Sequence, residues 1–102
     1  MKFKPGTNPA GLRPELLIAL MIADTVWSEK GKELVVTSLN DSKHSRGSLH
    51  FSGAAADLRT RYFSDEQKQS AASELKDRLG FNPDYDVVVE SDHIHLEYQP
   101  KS

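Results

Sequence analysis

Apolar side chains recur at helical spacing between Pro14 and Ser28, which predicts a first helix. Pro14 suits the first turn of a helix, where a missing N–H costs nothing. Gly31 lies near the expected end of the helix, and residues 1–11 are expected to form an irregular arm. The side chains predicted to form the buried face of this first helix are Leu16, Leu17, Leu20 and Trp27.

Further along the chain the apolar pattern shortens, which indicates strands. The β-branched run Leu34–Ser38 and the small apolar run Ala54–Leu58 are each predicted as a strand. Ser64, followed three residues later by Gln67, is a capping box that predicts a second helix reaching about Leu79.

Two last strands, Tyr85–Glu90 and Ile94–Gln99, are separated by a short polar turn and should form a hairpin. The predicted order is therefore helix, strand, strand, helix, strand, strand. This order is typical of a single α+β domain spanning residues 1–102. We expect an antiparallel-rich sheet with the helices packed on one side.

The amino-acid composition argues against some classes of function and limits the kind of metal site that the chain can form. A formal net charge of −2 argues against a nucleic-acid-binding surface. The absence of cysteine restricts a metal site to histidine and carboxylate ligands. The sequence contains no run of about 20 apolar residues, so no membrane span is predicted. The N-terminal residues 1–5 are too polar to begin an export signal, so none is expected. We expect a monomer that is made in the cytoplasm of a bacterial host.

The first segment with candidate chemistry places His50 and Asp57 seven residues apart. Both side chains can reach one metal ion only if the chain bends between them, and Gly53 permits such a bend. The second segment runs from Asp92 to Tyr98. On a strand His93, His95 and Glu97 would share one face, while the intervening apolar side chains face the core.

Two histidines and one aspartate, with a position left for water, form a known kind of catalytic zinc site. A nearby carboxylate would move the proton, and Asp92 and Glu90 are the candidates. The same residues also fit a solvated polar strand without metal, in which Asp57 caps a turn.

The pattern Ser48-x-His50-x-x-Gly53-x-Ala55-x-Asp57 resembles the signature of the zinc DD-peptidases. That family includes the D-alanyl-D-alanine carboxypeptidases and dipeptidases, the phage L-alanyl-D-glutamate endolysins, and the hedgehog signalling domain that shares their fold. The family's second element, an acidic residue shortly before a His-x-His, is matched by residues 90–95. The likeness covers roughly residues 12 to 99 in the expected order.

The resemblance implies that His50, Asp57 and His95 bind Zn²⁺. It also implies that Asp92 is the catalytic carboxylate, with Glu90 as the second choice. His93 would line the active site and assist with the proton or the oxyanion, and Ser48 would support the metal-binding loop.

The sequence departs from the family after the first predicted strand. Many members carry Thr-Ser-Gly-Tyr-Arg there, and the arginine stabilises the substrate carbonyl. In this chain residues 37–41 contain no arginine. Lys43, His44 or Arg46 could replace it from the loop, and Arg59 could bind a substrate carboxylate if it is not simply solvated.

The resemblance implies a zinc metallopeptidase that cuts an amide bond in bacterial peptidoglycan stem peptides, either as a carboxypeptidase or as an endolysin-type endopeptidase. A phage or prophage origin is expected, with the enzyme acting at the cell wall once released or carried by a virion. The alternative is a weakly active or inactive metal-binding module that serves a phage particle as a structural or cell-wall-binding part.

Overall fold

The computed structural model describes residues 1–40 and 54–100 of the chain. Helix α1 spans Pro14–Glu29 and helix α2 spans Asp65–Arg78. Within the described residues the strands are β1 Lys2–Phe3, β2 Val35–Asn40, β3 Ala55–Arg59, β4 Tyr85–Val89 and β5 His93–Tyr98. The α+β class predicted from the sequence is confirmed.

These strands form one sheet in the order β1-β2-β3-β5-β4. The sheet is mixed, because β1 runs parallel to β2 whereas the other neighbouring strands are antiparallel. The expectation of an antiparallel-rich sheet is therefore wrong. The residues responsible belong to the arm that was predicted to be irregular: the Lys2 N–H donates to the Leu34 carbonyl over 2.8 Å, and the Lys4 N–H donates to the Val36 carbonyl over 2.9 Å.

Both helices begin where the sequence signals predict. Pro14 is the first residue of α1. At α2 the Ser64 hydroxyl accepts the Gln67 N–H over 3.1 Å, and the Gln67 side chain accepts the Ser64 N–H over 2.8 Å. The reciprocal bonds satisfy two N–H groups that have no partner within the helix. The helix ends just before Gly80, whose φ of 72° lies in the left-handed region.

The core lies between the helices and one face of the sheet. Trp27 is fully buried, and its indole N–H donates to the Arg59 carbonyl over 3.1 Å, which ties α1 to the end of β3. The prediction that Leu17 belongs to this core is wrong, since it is 43% exposed. Strands β3, β4 and β5 contribute Ala56, Leu58, Val87, Ile94 and Leu96 to this core.

Because side chains alternate along a strand, the same pairing sends the intervening residues of β3 and β5 to the opposite face. Asp57 and His95, and Arg59 and His93, are directly opposed partners there. This face, away from the core, is called the polar face below.

Within residues 1–40 and 54–100, no helix is long and apolar enough to cross a membrane.

Candidate metal centre

Two of the three predicted metal ligands meet on the polar face. Asp57 lies in the middle of β3 and His95 lies opposite it on β5. The Nδ1 atom of His95 is 2.9 Å from Oδ1 of Asp57. The two side chains are 32% and 28% exposed, so water and a metal ion can reach them. Residues 38 positions apart in the sequence are thus brought together by the register of one antiparallel pair.

His93 extends this cluster towards the hairpin turn. Its Nδ1 atom lies 2.8 Å from Oδ1 of Asp92, and its Nε2 atom lies 3.6 Å from Oδ1 of Asp57. Because an ionised carboxylate only accepts, the shorter contact requires that Nδ1 carries the hydrogen. The Nε2 atom then faces Asp57 with its lone pair whenever the imidazole is neutral.

Glu97 completes the cluster and was not proposed as a site residue from the sequence. Its Oε1 atom is 3.0 Å from Nε2 of His95, and its side chain is 26% exposed. The signal that could have found it is the two-residue spacing from His95, since positions i and i+2 of a strand share a face. His95 therefore lies between two carboxylates, with Asp57 at one ring nitrogen and Glu97 at the other.

The contacts within the cluster shift the pKa values of His95 and Asp92. Partial burial lowers the pKa of His95, but hydrogen bonds to Glu97 and Asp57 outweigh burial and hold that pKa above its ordinary value. This direction agrees with the geometry, because only an imidazolium can donate from both ring nitrogens. The hydrogen bond from His93 holds the pKa of Asp92 below its ordinary value, so Asp92 is ionised at neutral pH.

The other proposed catalytic carboxylate, Glu90, follows directly after β4 and is exposed. Its N–H donates to the His93 carbonyl over 2.8 Å, which places it opposite His93 across the hairpin. Arg59 is half-buried on the polar face as the register partner of His93. Both residues are therefore register neighbours of His93, one on each side of β5.

A cleft of about 570 Å³ adjoins the cluster. His95 and Glu97 line one side of it, and residues 81–83 line the other, beyond β4. Its volume falls within the range of pockets that bind small ligands. Lys76 contributes a cationic group to its wall, and Phe81 contributes an aromatic ring that is 69% exposed.

The donor atoms of Asp57 and His95 suit Zn²⁺, which takes carboxylate oxygen and imidazole nitrogen. In the described part of the chain, no three His, Asp or Glu side chains are arranged to hold a metal ion together. The predicted third ligand, His50, lies outside the described residues, as do Gly53, Lys43 and the proposed supporting residues Ser48, His44 and Arg46. Zinc binding by this set remains a prediction.

Comparisons of the chain with protein-family models, with curated proteins and with solved structures found no match.

Proposed function

We propose that the protein is a zinc metallopeptidase that hydrolyses an amide bond in bacterial peptidoglycan stem peptides. The observation that carries the proposal is the contact between Asp57 and His95. Two residues chosen as ligands from separate sequence motifs lie within hydrogen-bond distance on a solvent-accessible face. A solvated polar strand would require no such convergence.

At the level of fold we propose the hedgehog and DD-peptidase type. Three features support it: the α+β class, two helices that share one core with the sheet, and two candidate ligands on adjacent antiparallel strands. The signature residues Ala55 and Asp57 belong to β3, where Ala55 is buried and Asp57 is accessible.

In this proposal His50, Asp57 and His95 hold the metal. When bound, zinc supplies a Lewis acid that polarises the scissile carbonyl and acidifies a water molecule. His95 must lose a ring proton to bind the metal, because a ligating imidazole is neutral at the bound nitrogen.

Proton transfer is assigned to the pair Asp92 and His93. Asp92 fixes the ring of His93 with Nδ1 protonated, which leaves Nε2 pointing at the Asp57 side of the cluster. Nε2 is then placed to accept a proton from the attacking water and to return it to the leaving amine. Glu90 is the alternative acceptor, since it lies opposite His93 across the hairpin.

The proposal is tested by digesting purified peptidoglycan with the zinc-loaded protein and identifying the products by mass spectrometry. We expect new peptide ends at one D-residue-containing amide bond. Cleavage should disappear with a chelator and in Asp57→Ala, and should persist in Asp65→Asn, which alters a carboxylate that is 98% exposed on α2.

Two outcomes would contradict the proposal. Cleavage that persists in Asp57→Ala would place the chemistry elsewhere. A zinc-loaded protein that cuts neither D-Ala-D-Ala nor L-Ala-D-Glu bonds would instead favour the inactive metal-binding module, which the missing arginine in residues 37–41 also favours.

A further inference from the structure

Glu97 contacts the ring nitrogen of His95 that faces away from Asp57. We infer that Glu97 is a positioning residue: it accepts the Nε2–H of His95 and so directs Nδ1 to the metal. This inference rests on the proposed zinc site and adds to it the ring nitrogen that binds and the residue that selects it.

The strand geometry fixes the arrangement of these three groups. Asp57 is the cross-strand partner of His95, whereas Glu97 is two residues further along the same strand and on the same face. The imidazole therefore cannot turn Nε2 towards Asp57 without giving up its 3.0 Å contact with Glu97. Glu97 is itself only 26% exposed, which limits the positions its carboxylate can take.

The chemistry of imidazole then determines the binding atom. A neutral ring carries one N–H and one lone pair, and the partner of the N–H decides which nitrogen remains for a metal. In the metal-free ring both nitrogens donate, Nε2 to Glu97 and Nδ1 to Asp57. Asp57 is itself a proposed ligand, so its carboxylate would turn to the metal and Nδ1 would lose its proton, while Glu97 would retain the proton at Nε2. Histidines that bind metal commonly donate their other N–H to a carboxylate in this way, and losing that carboxylate weakens metal binding about 10–100-fold.

Equilibrium zinc binding, measured by competition with a chromophoric chelator, tests the role of Glu97. We expect Glu97→Ala to bind zinc about 10–100-fold more weakly than wild type. Glu97→Gln, which keeps an oxygen acceptor, should recover much of that loss. The control is Glu66→Ala, because Glu66 is an exposed carboxylate of helix α2. Zinc affinity in this control should stay close to wild type.

The ¹⁵N NMR spectrum of the zinc-loaded protein identifies the coordinating atom independently of affinity. We expect His95 to show a metal-bound Nδ1 and a protonated Nε2. Coordination through Nε2, or an unchanged zinc affinity in Glu97→Ala, would overturn the inference while leaving the zinc site intact. Failure of the wild-type protein to bind zinc would refute the proposed function and this inference with it.

Discussion

Among the single residues of the cluster, His93 is the one that connects the hairpin turn to the proposed metal ligands. It joins Asp92, at 2.8 Å, to Asp57, at 3.6 Å, through its two ring nitrogens. The longer of these separations exceeds a hydrogen bond, so Nε2 is not committed to Asp57. An imidazole held at one nitrogen and available at the other suits proton transfer.

His93→Ala should therefore lower kcat by about 10²–10⁴-fold while zinc remains bound, because general acid–base catalysis contributes rate enhancements of that size. Steady-state kinetics on a stem-peptide substrate, combined with metal analysis of the same sample, checks both halves of the prediction. Loss of zinc would make His93 a ligand, and unchanged kcat would exclude it from proton transfer.

The two candidate carboxylates can be separated by comparing Asp92→Asn with Glu90→Gln. We expect the larger loss of kcat in Asp92→Asn, because Asp92 hydrogen-bonds to His93 and fixes its protonated nitrogen. The pH profile of kcat for both variants provides the readout. A larger loss in Glu90→Gln would assign proton transfer to Glu90 and not to the pair of Asp92 and His93.

At the scale of elements, the register of β3 against β5 forms the site, and helix α2 supports the core on the other face. Asp57 meets His95 only because the two strands pair in one register; a shift by one residue would send Asp57 into the core. Helix α2 contributes Ala71, Ala72 and Leu75 to that core, and its N-terminus depends on the capping box.

Ser64→Ala should therefore lower the free energy of unfolding by about 1 kcal/mol, the usual cost of losing an N-cap side chain. For a domain of this size that corresponds to a fall in Tm of about 4–8 °C, measured by calorimetry. Ser73→Ala is the matched control, since Ser73 is exposed within the same helix and alanine is the better helix former. Equal effects in both variants would show that the capping box does not stabilise the fold.

The elements that could be predicted are those with a local signal. The capping box and the hairpin of β4 and β5 are specified by neighbouring residues, and both appear in the structure. Strand β1 has only two residues and is defined by its parallel hydrogen bonds to the edge of β2. No local sequence pattern predicts such a pairing. The apolar spacing of α1 predicts Leu17 in the core wrongly, because spacing does not show how wide the buried stripe of a helix is.

The same distinction applies to the site. Asp57 and His95 belong to two separate motifs, and the resemblance to the zinc DD-peptidases is what predicts that they lie together. In the structure their side chains are in contact. Glu97 carries no motif, and its role depends on which ring nitrogen of His95 it contacts. Such a relation becomes visible only once the side chains are placed.

At the scale of the whole molecule, charged pairs link the two helices on the side of the core opposite the site. Lys30 of the α1 C-terminus is 2.7 Å from Glu74 of α2, and Arg78 pairs with Glu29. The Glu74 carboxylate also accepts the Ser70 hydroxyl over 3.0 Å. Hydrogen bonds from Lys30 and Ser70 hold the pKa of Glu74 below its ordinary value of 4.5.

This lowered pKa predicts how stability depends on pH. A group whose folded pKa is depressed adds stability that is fully present above its unfolded pKa and is lost as the pH falls through its folded pKa. The Glu74 side chain is 37% exposed, so the contribution should not exceed about 1 kcal/mol.

Urea denaturation of wild type and Glu74→Gln, with chelator present to remove metal effects, tests this prediction. Wild type should be the more stable protein at pH 7, and the difference should shrink towards pH 3. A difference that grows on acidification would contradict the assigned direction of the pKa shift.

Zinc should stabilise the folded protein, because a ligand that binds only the native state adds free energy by mass action, about 2.7 kcal/mol at a hundredfold excess over Kd. Calorimetry with and without zinc should therefore show a higher Tm in the loaded protein. His95→Ala should lose this response. An equal rise of Tm in wild type and His95→Ala would indicate zinc binding at other groups.

Zinc binding by His50, Asp57 and His95 can be measured by elemental analysis of protein dialysed free of loosely held metal. Wild type, His50→Ala, Asp57→Ala and His95→Ala should be compared after loading under the same conditions, with circular dichroism confirming that each is folded. Zinc should be present at about one ion per wild-type chain and nearly absent from the three variants. A folded wild-type protein that retains no zinc, or variants that retain as much as wild type, would show that these three residues do not form a zinc site.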